Sequence, residues 1–322
     1  VSRLPAPATA GVNDTTAARG APGAIDPSAD RPSLAVGLYL LAAGVFTIMD
    51  ALAKQLTLDG FAPEQVIALR YLLVTLALIP VVAWRWREWP LKTSQPALHV
   101  ARGALLIGAA TLFVYAIRTL PLATATSISF VSPLFVTILS ILFLKEQVGL
   151  RRWAAIAVGF VGVLAILRPG AATFQFAMLL PMAASFCWAS SLIITRAMKG
   201  RESAFAILVW STGAGLVVIA PLGLLNWRPL DANAMTIIAL LAVCHVAAQL
   251  LVIRAFMLSA ASSLAPFSYT TLIWATLIGY FFFDALPDLP TLAGAAVLAA
   301  AGLYVWHRER LAAARARKDS TE

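Results

Sequence analysis

From residue 34 onward the polar positions are sparse and clustered, and the stretches between them run apolar for roughly 20 residues, the length an α-helix needs to cross a hydrocarbon core. With Pro, Gly and charge as punctuation, the pattern predicts spans at 34–56, 64–84, 98–117, 122–144 and 151–167. A second five are predicted at 174–196, 203–225, 234–256, 260–283 and 289–307. The connections are too short to hold an inserted soluble domain. The expected fold is an all-α polytopic membrane protein of ten transmembrane helices.

Composition agrees with the pattern. Of the 322 residues, 61% are hydrophobic and only 12% charged, about half the charged share of a soluble domain. The net charge of +9 does not point to nucleic acid, because the basic residues fall in clusters between apolar runs and form no continuous stripe. With the N-terminus inside, 19 of the 24 Lys and Arg collect on the cytoplasmic side, leaving Lys54, Arg70, Arg118, Arg168 and Arg228 at or near the other face. An even span count places both termini in the cytoplasm, with the chain in a cytoplasmic membrane. Residues 1–33 are rich in Ala, Pro, Thr, Gly and Asp, without the apolar core of a signal peptide, and are expected as a disordered cytoplasmic tail. Residues 308–322 form a basic tail. Trp84, Trp86, Trp89, Trp227 and Trp306 mark interfaces.

The chain carries an internal echo. Ile117, Arg118, Leu122, Ala125, Ser127 and Ser132 recur as Ile253, Arg254, Leu258, Ala261, Ser263 and Ser268 at a constant offset of 136. Phe46 and Lys54 likewise correspond to Trp188 and Arg196. The predicted organisation is therefore two five-helix repeats, 34–170 and 171–307. Because five is odd, equivalent helices run in opposite directions, an inverted duplication that lets two related halves open one central site to each side in turn.

Polar residues inside the spans are the candidate chemistry. Asp50 and Arg70 both lie about six residues from the outer ends of their spans, roughly 9 Å below the boundary at 1.5 Å per residue, so they can pair. Two readings stand for them: a gate or binding site in which Asp50 takes a cationic group or a coupling proton, and a structural clip between helices. Lys54, one turn beyond Asp50, is expected to snorkel to the interface. The fourth span carries hydroxyls and Ser132-Pro133, and the ninth carries Pro266, Ser268 and Tyr269. Proline frees a backbone carbonyl there, and Ser132, Tyr269 and Trp274 are expected to line a cavity. Tyr115, Trp188, Trp210, His245 and Gln249 can stack on or hydrogen-bond to a flat or zwitterionic metabolite, and His245 and Gln249, four apart, share one helix face. The bland alternative for each is interhelical packing. Glu146, beside Lys145 and near Arg151 and Arg152, is expected to latch a loop.

No phosphate-loop, zinc-helix or nucleophile-elbow motif is present, and Cys187 and Cys244 lack metal or redox spacing. An enzyme is not expected, nor any cofactor or metal. The expected partners are a small-molecule substrate and the lipid bilayer, with a proton as candidate coupling ion, and a monomer or homodimer as the assembly.

The segment Tyr115 to Gly170 resembles the EamA family of the drug/metabolite transporter superfamily. The resemblance rests on the Leu-Pro-Leu-Ala turn at 120–123, Ser132-Pro133 in mid-span, Glu146 at the span end, and Gly159 and Gly162 beyond. Within the family, Met49-Asp50, Lys54, Arg70, His99, Arg102-Gly103 and Arg152-Trp153 look most like the S-adenosylmethionine uptake branch, and riboflavin importers look similar. The resemblance implies a permease for a small organic metabolite, with a midplane cavity between the first, third, fourth, sixth, eighth and ninth spans. The second half departs from the first, with Tyr269 in place of Pro133 and Asp284 near the position of Glu146.

Overall fold

A computed structural model describes the chain over residues 32–85, 93–144, 150–168, 174–198, 202, 204–258 and 264–319. The expectations for the N-terminal tail, Glu146, Trp86, Trp89, Ser263 and the basic clusters at 86–92, 145–149 and 199–201 lie outside these residues. The helices are α1 (Pro32–Leu58), α2 (Pro63–Arg85), α3 (Pro96–Thr119), α4 (Leu122–Ser129), α5 (Ser132–Leu144), α6 (Leu150–Leu167), α7 (Leu179–Ala197), α8 (Ala204–Leu225), α9 (Ala232–Leu258), α10 (Thr270–Phe283) and α11 (Leu289–Asp319). Short 3-10 segments at Phe176–Met178 and Ala265–Tyr269 lead into α7 and α10.

Local sequence accounts for where these helices begin. Pro32, Pro63 and Pro96 open α1, α2 and α3, where a missing N–H costs nothing. Asp231 and Asp288 cap α9 and α11: one carboxylate accepts the Ala234 N–H at 2.7 Å and the other the Thr291 N–H at 3.1 Å. Asp288 also pairs with Arg168. Burial alone would push the Asp288 carboxyl up, but the Thr291 and Arg168 hydrogen bonds and the Arg168 charge outweigh it and hold the group below the usual carboxylate range.

Among the described residues seven segments are long and apolar enough to cross a membrane, and shorter apolar helices occupy Ile156–Leu167, Phe267–Phe283 and Leu289–Tyr304. Large apolar side chains such as Leu142, Phe143, Phe281 and Phe282 are exposed on the outside, as a lipid-facing surface requires. The chain is a multi-pass, all-helical membrane protein.

Two of the expected continuous spans are interrupted. The stretch 122–144 is α4 and α5 separated by a turn at Phe130 and Val131, and 260–283 enters α10 through the 3-10 segment. Pro133 accounts for the first break, since it cannot donate to the Ser129 carbonyl four residues back.

Packing pairs α2 with α8 and α6 with α11, while α1 lies on α9 and α10, and α3 on α7 and α8. α2 also meets α9, and α5 meets α7. Small residues allow these approaches. A Cβ on Gly103 of α3 would stand 2.7 Å from the Ser211 carbonyl oxygen of α8, and one on Gly162 of α6 would stand 2.9 Å from the Gly294 carbonyl oxygen of α11.

α8 is tied near both ends, to α2 at one and to the start of α3 at the other. At one end the Gln65 amide donates to the Arg228 carbonyl at 2.7 Å and accepts the Arg228 N–H at 3.2 Å, while the Arg228 guanidinium covers the Phe61 ring. At the other, the Glu202 carboxylate accepts the Thr93 hydroxyl at 2.8 Å and the Ser94 N–H at 2.9 Å, with His99 at 3.7 Å. The Thr93 hydrogen bond and those from Ser94 hold the Glu202 carboxyl below the usual range.

Candidate functional site

The candidate residues separate into groups once the helices are in place. Asp50 on α1, Arg70 on α2 and His245 on α9 converge, and the Arg70 charge acts on both of the others. Arg70 is buried, and its guanidinium donates to Met49 Sδ at 3.7 Å and covers the Tyr71 ring, whose centroid lies 6.2 Å from that of His245. No ion pair within 4.0 Å joins Asp50 to Arg70, so they interact through their fields and not by a direct bridge. Asp50 and His245 are both partly buried within the bundle. Gln249, one turn along α9, is also partly buried.

The interrupted helices form a second group. Pro133 leaves the Ser129 carbonyl without its helical donor, and the Ser185 hydroxyl of α7, shared with its own Pro181 carbonyl at 2.8 Å, lies 3.2 Å from it. Ser132 opens α5 directly after the break and is partly buried. Tyr269 ends the 3-10 segment, and its ring meets Phe130 edge-on at 5.1 Å. The discontinuities of the two spans thus touch. Trp274, a turn into α10, packs against Gly44 of α1 at 3.2 Å from the position of a Cβ there. Trp188 of α7 is half exposed.

Tyr115 stands apart, because its hydroxyl donates to the carboxylate of Glu64 in the first turn of α2. Lys54 does not snorkel outward. It is 7% exposed and donates at 2.7 Å to the Leu120 carbonyl at the end of α3, with the Phe283 ring beneath it. Pro121 follows Leu120, so this carbonyl lies at a helix end and needs an outside donor. Tyr71, Phe130 and Ser185 were not singled out from sequence, and Met49 only through the family resemblance. Only Ser185 had a readable cue, since Pro133 identifies the carbonyl four residues back as the one left free. Among the described residues no group of three or more His, Cys, Asp or Glu is placed to hold a metal.

The described geometry agrees with the comparison to known proteins. The model of the EamA-like transporter family matches residues 33–168 and again 175–306. A protein of Rickettsia bellii named S-adenosylmethionine uptake transporter is 31% identical over 282 residues, 87% of this chain and 96% of that one. A riboflavin transporter of Vibrio cholerae is 29% identical over 85% of this chain and 94% of its own. A solved crystal structure of 17% identity superposes with a TM-score of 0.58, covering 87% of this chain and 98% of that one, and shares the fold. With an interrupted-helix membrane bundle, two successive matches to one family model and relatives similar along most of their length, the chain belongs to the EamA-like transporter family.

Proposed function

We propose that this protein is a secondary transporter of the cytoplasmic membrane that carries a small organic metabolite by alternating access, and that S-adenosylmethionine uptake is its activity. The observation that carries the reading is the packing pattern. Exchanging the first five spans for the last five preserves the most extensive pairings: α2–α8 and α6–α11 map onto themselves, α1–α9 maps onto α7–α3, α2–α9 onto α8–α3, and α5–α7 onto α10–α1. This supports two inverted five-helix halves, at 34–170 and 171–307, and the excess of Lys and Arg on one side supports both termini being cytoplasmic.

Such a pattern gives the motion a mechanical basis. The α2–α8 pair, tied through Gln65 and Arg228, and the α6–α11 pair, in close backbone contact, act as two walls. The six spans between them carry the touching helix breaks, and interrupted helices near the centre of a bundle offer freed backbone groups to a substrate. Within that space Asp50 takes a cationic group, and the Trp274 ring, packed on Gly44 of α1, stacks on a flat one. The names of the Rickettsia relatives support S-adenosylmethionine, which is cationic and carries a flat base. The riboflavin-transporter relatives support riboflavin as a second reading.

Counterflow into proteoliposomes tests it. Vesicles loaded in turn with unlabelled S-adenosylmethionine, riboflavin and several amino acids are diluted into the labelled form of each. Saturable, transient accumulation of S-adenosylmethionine is expected. Flux that equilibrates without overshoot or saturation would refute the carrier.

A further inference from the structure

Arg70 is held in an arrangement that a purely structural arginine would not need. A buried guanidinium is costly unless carboxylates or several good acceptors surround it. Arg70 is 4% exposed, its Nε has no hydrogen-bond partner, and Nη1 donates only to a thioether sulfur, a weak acceptor. Among the described residues no carboxylate stands within 4.0 Å of it. His245, on which the Arg70 charge acts, likewise has a buried Nδ1 without a partner. Both groups therefore keep unused hydrogen-bonding capacity inside the bundle.

The fold itself does not require these charges. The offset of 141 that sets Pro80 of α2 on Pro221 of α8 sets Arg70 on Ser211. The offset of 142 that relates Lys54 to Arg196 sets Asp50 on Leu192, and the offset of 136 sets His245 on Ala109. The equivalent helices make the equivalent packing with three neutral residues. The trio thus belongs to one half of the site and gives it a polarity that the packing symmetry lacks.

We infer that Arg70, with His245 beside it, binds the α-carboxylate of an amino-acid substrate whose cationic group is taken by Asp50. The planar fork of a guanidinium matches a carboxylate, with two parallel hydrogen bonds. The inference rests on the transport reading above and adds a substrate class to it: a zwitterion bearing a free carboxylate. S-adenosylmethionine satisfies that requirement, and riboflavin, which has no carboxylate, does not.

The test compares S-adenosylmethionine with its decarboxylated form, which keeps the sulfonium and the adenosyl group. Each competes against labelled S-adenosylmethionine in counterflow with the full chain in proteoliposomes, and labelled riboflavin is run in parallel. In the wild type the decarboxylated form is expected to compete roughly 10- to 100-fold more weakly, the worth of charge-assisted hydrogen bonds in a buried site. Arg70→Gln is expected to bring S-adenosylmethionine down to the level of the decarboxylated form while leaving the latter unchanged, with Arg70→Lys between. Should Arg70→Gln fail to fold, the analogue pair on the wild type still decides. Equal competition by the two forms would overturn the carboxylate assignment and leave the carrier standing, as would saturable riboflavin counterflow with S-adenosylmethionine inert. No counterflow of any compound would overturn the transport reading with it.

Discussion

The contact of α6 with α11 makes a quantitative prediction about alanine at Gly294. A Cβ there would stand 2.6 Å from the Gly162 carbonyl oxygen, 2.5 Å from Ile166 Cγ1 and 3.2 Å from Ile166 N. A carbon and a carbonyl oxygen come no closer than about 3.3 Å in a favourable contact, so the helices must part by roughly 0.7 Å. No side-chain rotation relieves this, because the nearest oxygen is backbone. A gap of that size forfeits a quarter to a half of each van der Waals contact, which with overpacking strain amounts to about 2–3 kcal/mol. Alanine's better helix propensity returns up to about 1 kcal/mol, leaving a net destabilisation of about 1–2 kcal/mol. Gly213 supplies the internal control, because a Cβ there meets nothing within 4 Å. Gly213→Ala should be neutral or stabilising by up to about 1 kcal/mol. Equilibrium unfolding in mixed micelles, followed by the fluorescence of the nine tryptophans, measures both variants. Equal stabilities would refute the claim that backbone contact at Gly162 and Gly294 holds this wall together.

Asp50→Asn should insert and unfold like the wild type while losing at least roughly 10-fold in kcat/KM for a cationic substrate, the worth of a lost charge-assisted contact; unchanged transport kinetics would leave Asp50 a structural role only. Lys54→Met removes the donor to the Leu120 carbonyl and should cost about 1–3 kcal/mol in the same unfolding assay, with Lys54→Arg closer to wild type. The Glu202 carboxyl is held below its ordinary value, so the folded state favours the ionised form. Its contribution is complete above the usual carboxylate pKa of about 4.3 and is lost as pH falls through the depressed value. Stability curves of the wild type and Glu202→Gln should therefore separate above that pH and converge below it; parallel curves would show that the Thr93 and Ser94 contacts do not act through the charge.

Much of the bundle was legible in the sequence because a membrane-length apolar run is a property of consecutive residues. The expected span 64–84 is α2 at Pro63–Arg85, and 203–225 is α8 at Ala204–Leu225. The prolines announced trouble in the fourth and ninth spans, though the pattern alone read both as continuous. Phe130, where the fourth breaks, is an ordinary apolar residue, and its contact with Tyr269 joins positions far apart in the chain. The candidate site was legible in depth and not in direction. Counting residues from the span ends put Asp50 and Arg70 at one level, but their missing ion pair, the arrival of His245 and the turn of Lys54 toward Leu120 depend on how each helix is rotated about its own axis. A soluble helix writes that rotation into its sequence as an apolar stripe opposite a polar one. These helices are apolar all round, since one face meets lipid and the other meets protein, so the sequence determined which segments cross the membrane, and tertiary packing decided which side chains meet.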